Sequence, residues 1–271
     1  MQIELISDIH IDFWINPKEN TQKQTTLIKE FVKNILKPTS NETLVIAGDL
    51  GHYNNQNLLL LKELQNYYRY IIITWGNHDL YLVSKRQEKL YKTSFARLES
   101  FKKALLEYEN IFFLDGDYLE LEGVKFWGSG LWYEVPKHLM QDWFTISNDG
   151  VFIKEDKIFY SDFDSFGRQK IYKFNPNKLY QKELEKLEKV KDIDIIITHI
   201  PPLFIGDKNK VEDYFYYSNA KAFIEKLQAK YWLFGHYHKG YNNRYKTTQL
   251  LASPLGYKNE KYFHKMYVFS I

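Results

Sequence analysis

The sequence contains no cysteine. Disulfides and thiolate metal sites are therefore excluded, and any metal must be held by His, Asp, Glu or Asn. Net charge is also scarce. Among 271 residues, 37 Lys and Arg stand against 34 Asp and Glu, a formal charge of +3. So small a surplus does not point to nucleic acid, nor does it exclude it. No apolar run approaches the ~18 residues that a membrane span needs. The N-terminal stretch from Met1 to Asp8 has no basic lead into a long apolar core, so it does not read as a signal peptide. A cytoplasmic protein with no membrane partner is the expectation. Internal repeats, linkers and low-complexity segments are missing too, which predicts one domain over 1–271.

What is present suits a globular chain. Hydrophobic residues make up 44% and charged residues 26%, and the length is enough to bury a full core. The 22 Tyr and 19 Phe read as core and strand packing. A base-stacking platform needs aromatics interleaved with a concentrated basic groove, and no such concentration is visible.

Short apolar runs recur and end alike. Ile3 to Ile6 runs into Ser7-Asp8, Leu44 to Ala47 into Gly48-Asp49, and Ile71 to Thr74 into Trp75-Gly76-Asn77-His78. Ile193 to Thr198 runs into His199, and Tyr231 to Phe234 into Gly235-His236. Runs this short and rich in Ile and Val read as buried strands. Helical faces lie between them. Leu27, Ile28, Phe31, Val32, Ile35 and Leu36 form one, Leu58, Leu61 and Leu64 another. Leu98, Phe101 and Leu105 fall within a polar stretch from about Lys85 to Tyr108. Leu184, Leu187 and Val190 follow a start near Pro176, and Ala220, Phe223, Ile224 and Leu227 come last. Strand–helix alternation in the first hundred residues predicts βαβ units with parallel pairing. Phe112 to Leu114, Tyr118 to Leu121 and Val124 to Trp127 are strand candidates separated by Asp-Gly and Glu-Gly turns. Thr247 to Ala252 and Lys265 to Phe269 form a C-terminal strand group. Asn148 to Phe174 has weak periodicity and reads as an excursion, either a lid beside the site or an ordinary surface insertion.

Each predicted strand end carries a candidate ligand. Asp8 and His10 are two apart, so their side chains leave the same face, and His236 and His238 repeat that spacing. Asp49, Asn77 and His199 complete the set. In open α/β sheets ligands bind beyond the carboxyl ends of the strands, so the fold brings these residues together. Carboxylate, imidazole and amide oxygen favour Mn, Fe, Zn or Mg over thiophilic metals. Asp49 has two oxygens with which to bridge two ions. A pair of ions roughly 3.5–4 Å apart clamps the attacking and leaving oxygens of an in-line phosphoryl displacement and lowers the pKa of a shared water.

These blocks resemble the calcineurin-like metallophosphoesterase superfamily. The family pattern D-x-H, G-D, G-N-H-[DE], a lone His and G-H-x-H stands here as Asp8-Ile9-His10, Gly48-Asp49, Gly76-Asn77-His78-Asp79, His199 and Gly235-His236-Tyr237-His238. Five of the 8 histidines fall in these blocks. The resemblance implies a four-layer αββα sandwich of two mixed sheets flanked by helices. It implies that Asp8, His10, Asp49 and His238 hold one divalent ion and Asp49, Asn77, His199 and His236 the other, with manganese the leading expectation. It implies in-line attack by a hydroxide bridging the ions, with His78 as general acid. Asp79 is expected to orient His78 and raise its pKa. The resemblance is weakest over 131–192, where substrate choice is often set.

The implied activity is hydrolysis of a phosphate mono- or diester of a small molecule or nucleotide. A nuclease with the same centre and a non-catalytic scaffold of the same fold are the competing readings. His52 reads as a solvated loop histidine, and Asp12 as a turn residue or a support for its neighbours. Arg168 and Lys170 read as surface charges, and His138 and His264 have no partner pattern.

Overall fold

Runs of Ile, Val and Leu pair into two mixed sheets in the computed structural model, which describes residues 1–39, 42–156, 160–163, 169–205, 215–260 and 266–271. In the first sheet β1 (Gln2–Ile6), β2 (Thr43–Ala47), β3 (Tyr70–Thr74) and β4 (Ile111–Phe113) lie parallel in that order. The last strand, β13 (Tyr267–Ser270), joins antiparallel to β1. The second sheet has six strands among the described residues. Its parallel centre is β6 (Val124–Ser129), β9 (Ile195–Thr198), β10 (Tyr231–Phe234) and β12 (Thr248–Ala252). Antiparallel edges are supplied by β5 (Asp117–Leu121) and β11 (Tyr241–Tyr245). A separate hairpin pairs β7 (Tyr160–Phe163) with β8 (Gln169–Tyr172).

Alternation along the strands creates the layers. Ile3, Leu5, Val45 and Ile72 of the first sheet meet Phe126, Ile195, Ile197 and Leu233 of the second. On the far side of the first sheet, Leu44, Ile46, Ile71 and Ile73 pack against Ile28, Phe31, Leu60, Leu61 and Leu64 from helices Thr21–Phe31 and Asn54–Leu64. On the far side of the second, Trp127, Ile196, Trp232 and Phe234 pack with Leu179 and Leu187 of helix Pro176–Glu188 and Ile224 of helix Lys221–Leu227. The result is the four-layer αββα sandwich. Every residue of β2 is buried, as a strand covered on both faces requires. No helix among the described residues is long and apolar enough to cross a membrane.

Three local features depart from the pattern in the sequence. The polar stretch from Lys85 makes two helices, Lys85–Tyr91 and Ser94–Leu105. Lys92 between them has φ 65°, and the Thr93 hydroxyl accepts from the amide of Ala96 to start the second, as an N-cap does. Strand β11, with the sequence Tyr-Asn-Asn-Arg-Tyr, has no apolar alternation and is exposed along most of its length. Residues 140–152 form two short helices, Met140–Ile146 and Asn148–Phe152, and Trp143 and Phe144 are buried in the second sheet's outer core. His138 is exposed. Arg168, His264 and the Lys170 side chain lie outside the described residues.

A buried polar network supports the strand ends from below. Glu183, 1% exposed, accepts from the Ser129 hydroxyl and from the Leu131 amide at 3.0 Å. Lys186 reaches Glu183 and Asp115, each at 2.6 Å, and the Trp75 indole donates to Asp115 at 2.8 Å. Burial raises the Glu183 carboxyl, and Lys186 opposes that. Replacing Lys186 with Met leaves Glu183 buried without its cation. Breaking a buried pair typically costs 3–5 kcal/mol, and the partial exposure of Lys186 reduces that here to about 2 kcal/mol. Urea denaturation will read this as a lower midpoint with an unchanged slope.

Candidate metal centre and active-site cleft

The residues that follow β1, β2, β3, β9 and β10 turn sharply into one space between the sheet edges. Asp8, His10, Asp49, His236 and His238 all have left-handed backbone, with φ 53°, 45°, 59°, 71° and 48°. For non-glycine residues this conformation costs about 1 kcal/mol or more each and clusters where function holds it in place. The turns are fixed by backbone bonds across the strand ends. Asp8 N donates to Gly48 O at 3.1 Å, His10 N to Asp49 O at 3.0 Å and Gly235 N to His199 O at 2.9 Å. Glycine is needed where the backbone crowds the side chains. A Cβ on Gly48, itself at φ 83°, would stand 2.5 Å from His199 Nδ1, and one on Gly76 would collide with the Asp49 carboxylate.

All seven candidate ligands meet there. His10 Nε2 and His238 Nε2 are 3.0 Å apart, with Asp8 Oδ1 3.4 Å from His238 and Asp49 Oδ2 3.6 Å from His10. Asp49 Oδ2 is also 3.3 Å from His199 Nε2. Asn77 Oδ1 lies 3.0 Å from His199 Nε2 and 3.1 Å from His236 Nδ1. Asp49 Oδ2 therefore stands between two donor groups. Every one of these residues is buried except His238, whose side chain is 18% exposed.

Outer partners decide which nitrogen faces inward. A carbonyl only accepts, so His199 donates from Nδ1 to Ala47 O at 2.8 Å and His236 from Nε2 to Phe215 O at 3.2 Å. His238 Nδ1 lies 2.8 Å from Glu260 Oε2. Each leaves its other nitrogen toward the centre, the arrangement that prepares imidazole for a metal. His10 Nδ1 has no such partner. Two of the four imidazoles show the same demand for positive charge, whereas burial holds His10 at about 4 and His236 at about 3. Burial opposes charge on His238 and His199, but the carboxylates outweigh it. Asp8 and Glu260 raise His238 to about 10, and Asp49 raises His199 to about 9. Burial would raise Asp8, yet His238 holds it at about 2. Imidazole, carboxylate and amide oxygen facing one another, without sulfur, fit divalent ions of the hard to borderline kind.

His78 stands beside this cluster with a different set of partners. Its Nδ1 is 2.8 Å from His52 Nε2, and its Nε2 is 3.3 Å from the Tyr257 hydroxyl. His52 Nδ1 in turn lies 2.7 Å from Asp12 Oδ2. His52 is only 7% exposed, so it is not the solvated loop residue expected from the sequence. Asp79 also differs from expectation. Its Oδ2 accepts from the amides of Asp49 at 2.9 Å and Gly76 at 2.8 Å, which closes the loop rather than orienting the His78 ring. Sequence neighbours on the one-turn helix His78–Leu80 do not face each other. Burial, with the neighbouring imidazoles, holds His78 well below its ordinary value, against the pull of Asp49. Arg97, 1% exposed, pins both loops by donating to the carbonyls of His78 at 3.1 Å, Asp79 at 2.6 Å and Gly51 at 2.7 Å.

A cleft of about 720 Å³ opens above these groups. Asp49, Asn77, His78, His236 and His238 form its floor, and Ile146, Asp149, Tyr216, Tyr237 and Tyr257 its walls. Lys239 is the one cationic Lys or Arg among the described lining residues. Tyr257 and Glu260 reach the site from the segment after β12. That segment is tied to the strand ends by Leu255 N on Ser7 O and Gly256 N on Asp8 O, both 2.9 Å.

The family described as calcineurin-like phosphoesterase matches residues 1–240. This chain belongs to it. Calcineurin-like phosphoesterases hydrolyse phosphoric esters, and the chain is an enzyme of that class. It is 24% identical over 277 residues to an uncharacterized protein of Acanthamoeba polyphaga mimivirus, covering 96% of this chain and 92% of that protein. Among solved structures it is similar to the phosphopantetheinyl hydrolase PptH from Mycobacterium tuberculosis. The TM-score is 0.65 at 13% identity, covering 98% of this chain and 95% of that one. It is also similar to the protein TT1561 of Thermus thermophilus, with TM-score 0.52 at 10% identity and coverage of 93% and 88%. At these identities the structural likeness concerns the fold.

The crowding at Gly76 supplies a test. Gly76→Ala displaces the Asp49 carboxylate from between His10 and His199. Divalent-metal affinity, read by calorimetric titration, is expected to fall at least about tenfold, while far-ultraviolet circular dichroism stays that of the native chain.

Proposed function

We propose that this phosphoesterase is a dinuclear, metal-dependent hydrolase of small-molecule or nucleotide phosphomono- or diesters. The observation that carries this reading is Asp49 Oδ2, 3.6 Å from His10 Nε2 and 3.3 Å from His199 Nε2, at the floor of a cleft much larger than a phosphate. Asp8, His10, Asp49 and His238 would hold one ion, and Asp49, Asn77, His199 and His236 the other. Manganese is the first choice for this donor set, with Fe, Zn or Mg as alternatives. When bound, such ions neutralise the phosphate oxygens and make water nucleophilic near neutral pH.

The chain's own residues supply the rest. The cleft above the floor admits the organic part of the ester. His78 Nε2 faces that space; the negative charge of a bound phosphate would favour the imidazolium that burial disfavours, and from there the ring would give a proton to the departing oxygen. The Asp12–His52 pair holds the other side of the ring, at Nδ1. His52 keeps His78 aimed at the cleft, a role that the sequence pattern had assigned to Asp79. The Tyr257 hydroxyl, 3.3 Å from His78 Nε2, marks where a substrate oxygen can lie. Because Lys239 is the only Lys or Arg among the described lining residues, the cleft suits a small ester better than a long polyanion.

Two measurements test the reading. A manganese-supplemented panel should include nitrophenyl phosphate mono- and diesters, nucleotides, phosphopantetheine esters and oligonucleotides. Hydrolysis of a small ester is expected, with kcat/KM about 10³-fold lower in Asp49→Ala. Failure to cleave any mono- or diester when metal-loaded would remove the proposal. For His78→Ala, kcat is expected to drop about 10²-fold or more on esters of alkyl alcohols. Nitrophenyl esters, whose leaving group needs no proton, should lose far less. His52→Ala should show the same dependence on leaving group with smaller losses. Equal losses on both ester types would remove His78 as the proton donor.

A further inference from the structure

Asn77 is an amide, and an amide presents an oxygen on one side and two N–H donors on the other. Only the oxygen can serve a cation. Something must therefore keep the Asn77 oxygen turned toward His199 and His236, 3.0 and 3.1 Å away. One of the two groups on the other side of the amide belongs to the stretch over 131–192 that the sequence left without a role. Asn77 Nδ2 donates to Asp149 Oδ1 at 2.8 Å, and the Tyr81 hydroxyl is 3.0 Å from the same nitrogen. Asp149 is 4% exposed.

Asp149 is itself held as an acceptor. Tyr81 donates to its Oδ1 at 2.5 Å and Tyr133 to its Oδ2. Trp143 Nε1 then donates to the Tyr133 oxygen at 2.9 Å, so the Tyr133 proton is left for the carboxylate. Three donors thus converge on the two Asp149 oxygens, which act as acceptors. An Asn77 oxygen turned toward them would set acceptor against acceptor at hydrogen-bond distance. The amide therefore has one allowed orientation, with its oxygen at the centre. The backbone places Asp149 with equal care. Helix Asn148–Phe152 begins with the Ser147 hydroxyl accepting from the Asp149 amide at 3.1 Å. Gly150 lets this turn approach Phe144 and Trp143, because a Cβ there would come within 2.9 and 3.0 Å of their backbone.

We infer that Asp149 is a positioning residue that fixes the Asn77 amide with its oxygen toward the second metal position, so that the helices over 140–152 set the affinity of that position alone. The inference rests on the two-ion reading. Its selectivity follows from contacts. Asp149 bonds Asn77 but none of Asp8, His10 or His238, so one position depends on it directly and the other does not.

The test is manganese titration of the full chain, followed by calorimetry and by the electron paramagnetic resonance signal of coupled Mn pairs. Wild type is expected to bind two ions per chain. Asp149→Asn should bind the first with unchanged affinity and the second about 10- to 100-fold more weakly, with loss of the coupled-pair signal at equal metal. Asn77→Asp sets two carboxylates against each other and should also weaken the second ion. In the double variant Asn77→Asp with Asp149→Asn, the new amide donates to the new carboxylate, and second-ion affinity should return to within a few-fold of wild type. A merely structural role for Asp149 predicts instead that Asp149→Asn weakens binding equally on either background. That result, or equal loss of both ions in Asp149→Asn, would overturn the inference while leaving the two-ion reading intact. Fewer than two ions in wild type would overturn the reading itself, and this inference with it.

Discussion

Two buried carboxylates, Asp8 and Asp49, face four imidazoles across a space a few ångströms wide. Left to themselves, such groups would turn to water or exclude one another. The surrounding structure prevents this. Left-handed turns aim the side chains inward, carbonyls of Ala47 and Phe215 occupy the outer imidazole nitrogens, and the His236 amide bonds Asp8. The strain is tolerated because these turns end strands buried on both faces, whose packing overdetermines the backbone. The shifts of His238 and His199 to about 10 and 9 are another view of the same fact. Carboxylates that hold protons this tightly on two imidazoles are electrostatically prepared for cations, and metal loading would have to displace those protons.

The fold was legible in the sequence wherever local pattern and tertiary role agree. The ends of β1, β2, β3, β9 and β10 could be read because each short apolar run stops at a polar residue. Parallel pairing of β1, β2 and β3 follows from the helices between them. Strand β11 was invisible for the opposite reason. An edge strand needs only a backbone partner, and its polar side chains carry no alternation. The break at Lys92 was marked by Thr93-Ser94, a capping signal just ahead of the helical face of Leu98, Phe101 and Leu105.

The candidate site divides along a similar line. Residues following strand ends could be gathered by topology. Contacts between distant segments could not. Asp12 meets His52 across 40 residues, and Asp149 meets Asn77 across 72. Asp12 stood in phase with Asp8 and His10, so a supporting role was within reach. Nothing in the order Ser147-Asn148-Asp149 signals a contact with the loop after β3. The resemblance implied that Asp79 orients His78, but Asp79 Oδ2 is taken by the amides of Asp49 and Gly76.

The tie between the first and last parts of the chain has a temporal meaning. Asp8 and His10 are made well before their partners: the nitrogen that stands against His10 belongs to His238, and the carboxylate that orients His238 belongs to Glu260. Strand β1 waits longer still for β13. A nascent chain therefore carries separated halves of this cluster while the stretch between them is made. The full arrangement comes into being only once the segments holding His10 and Glu260 have both been synthesised.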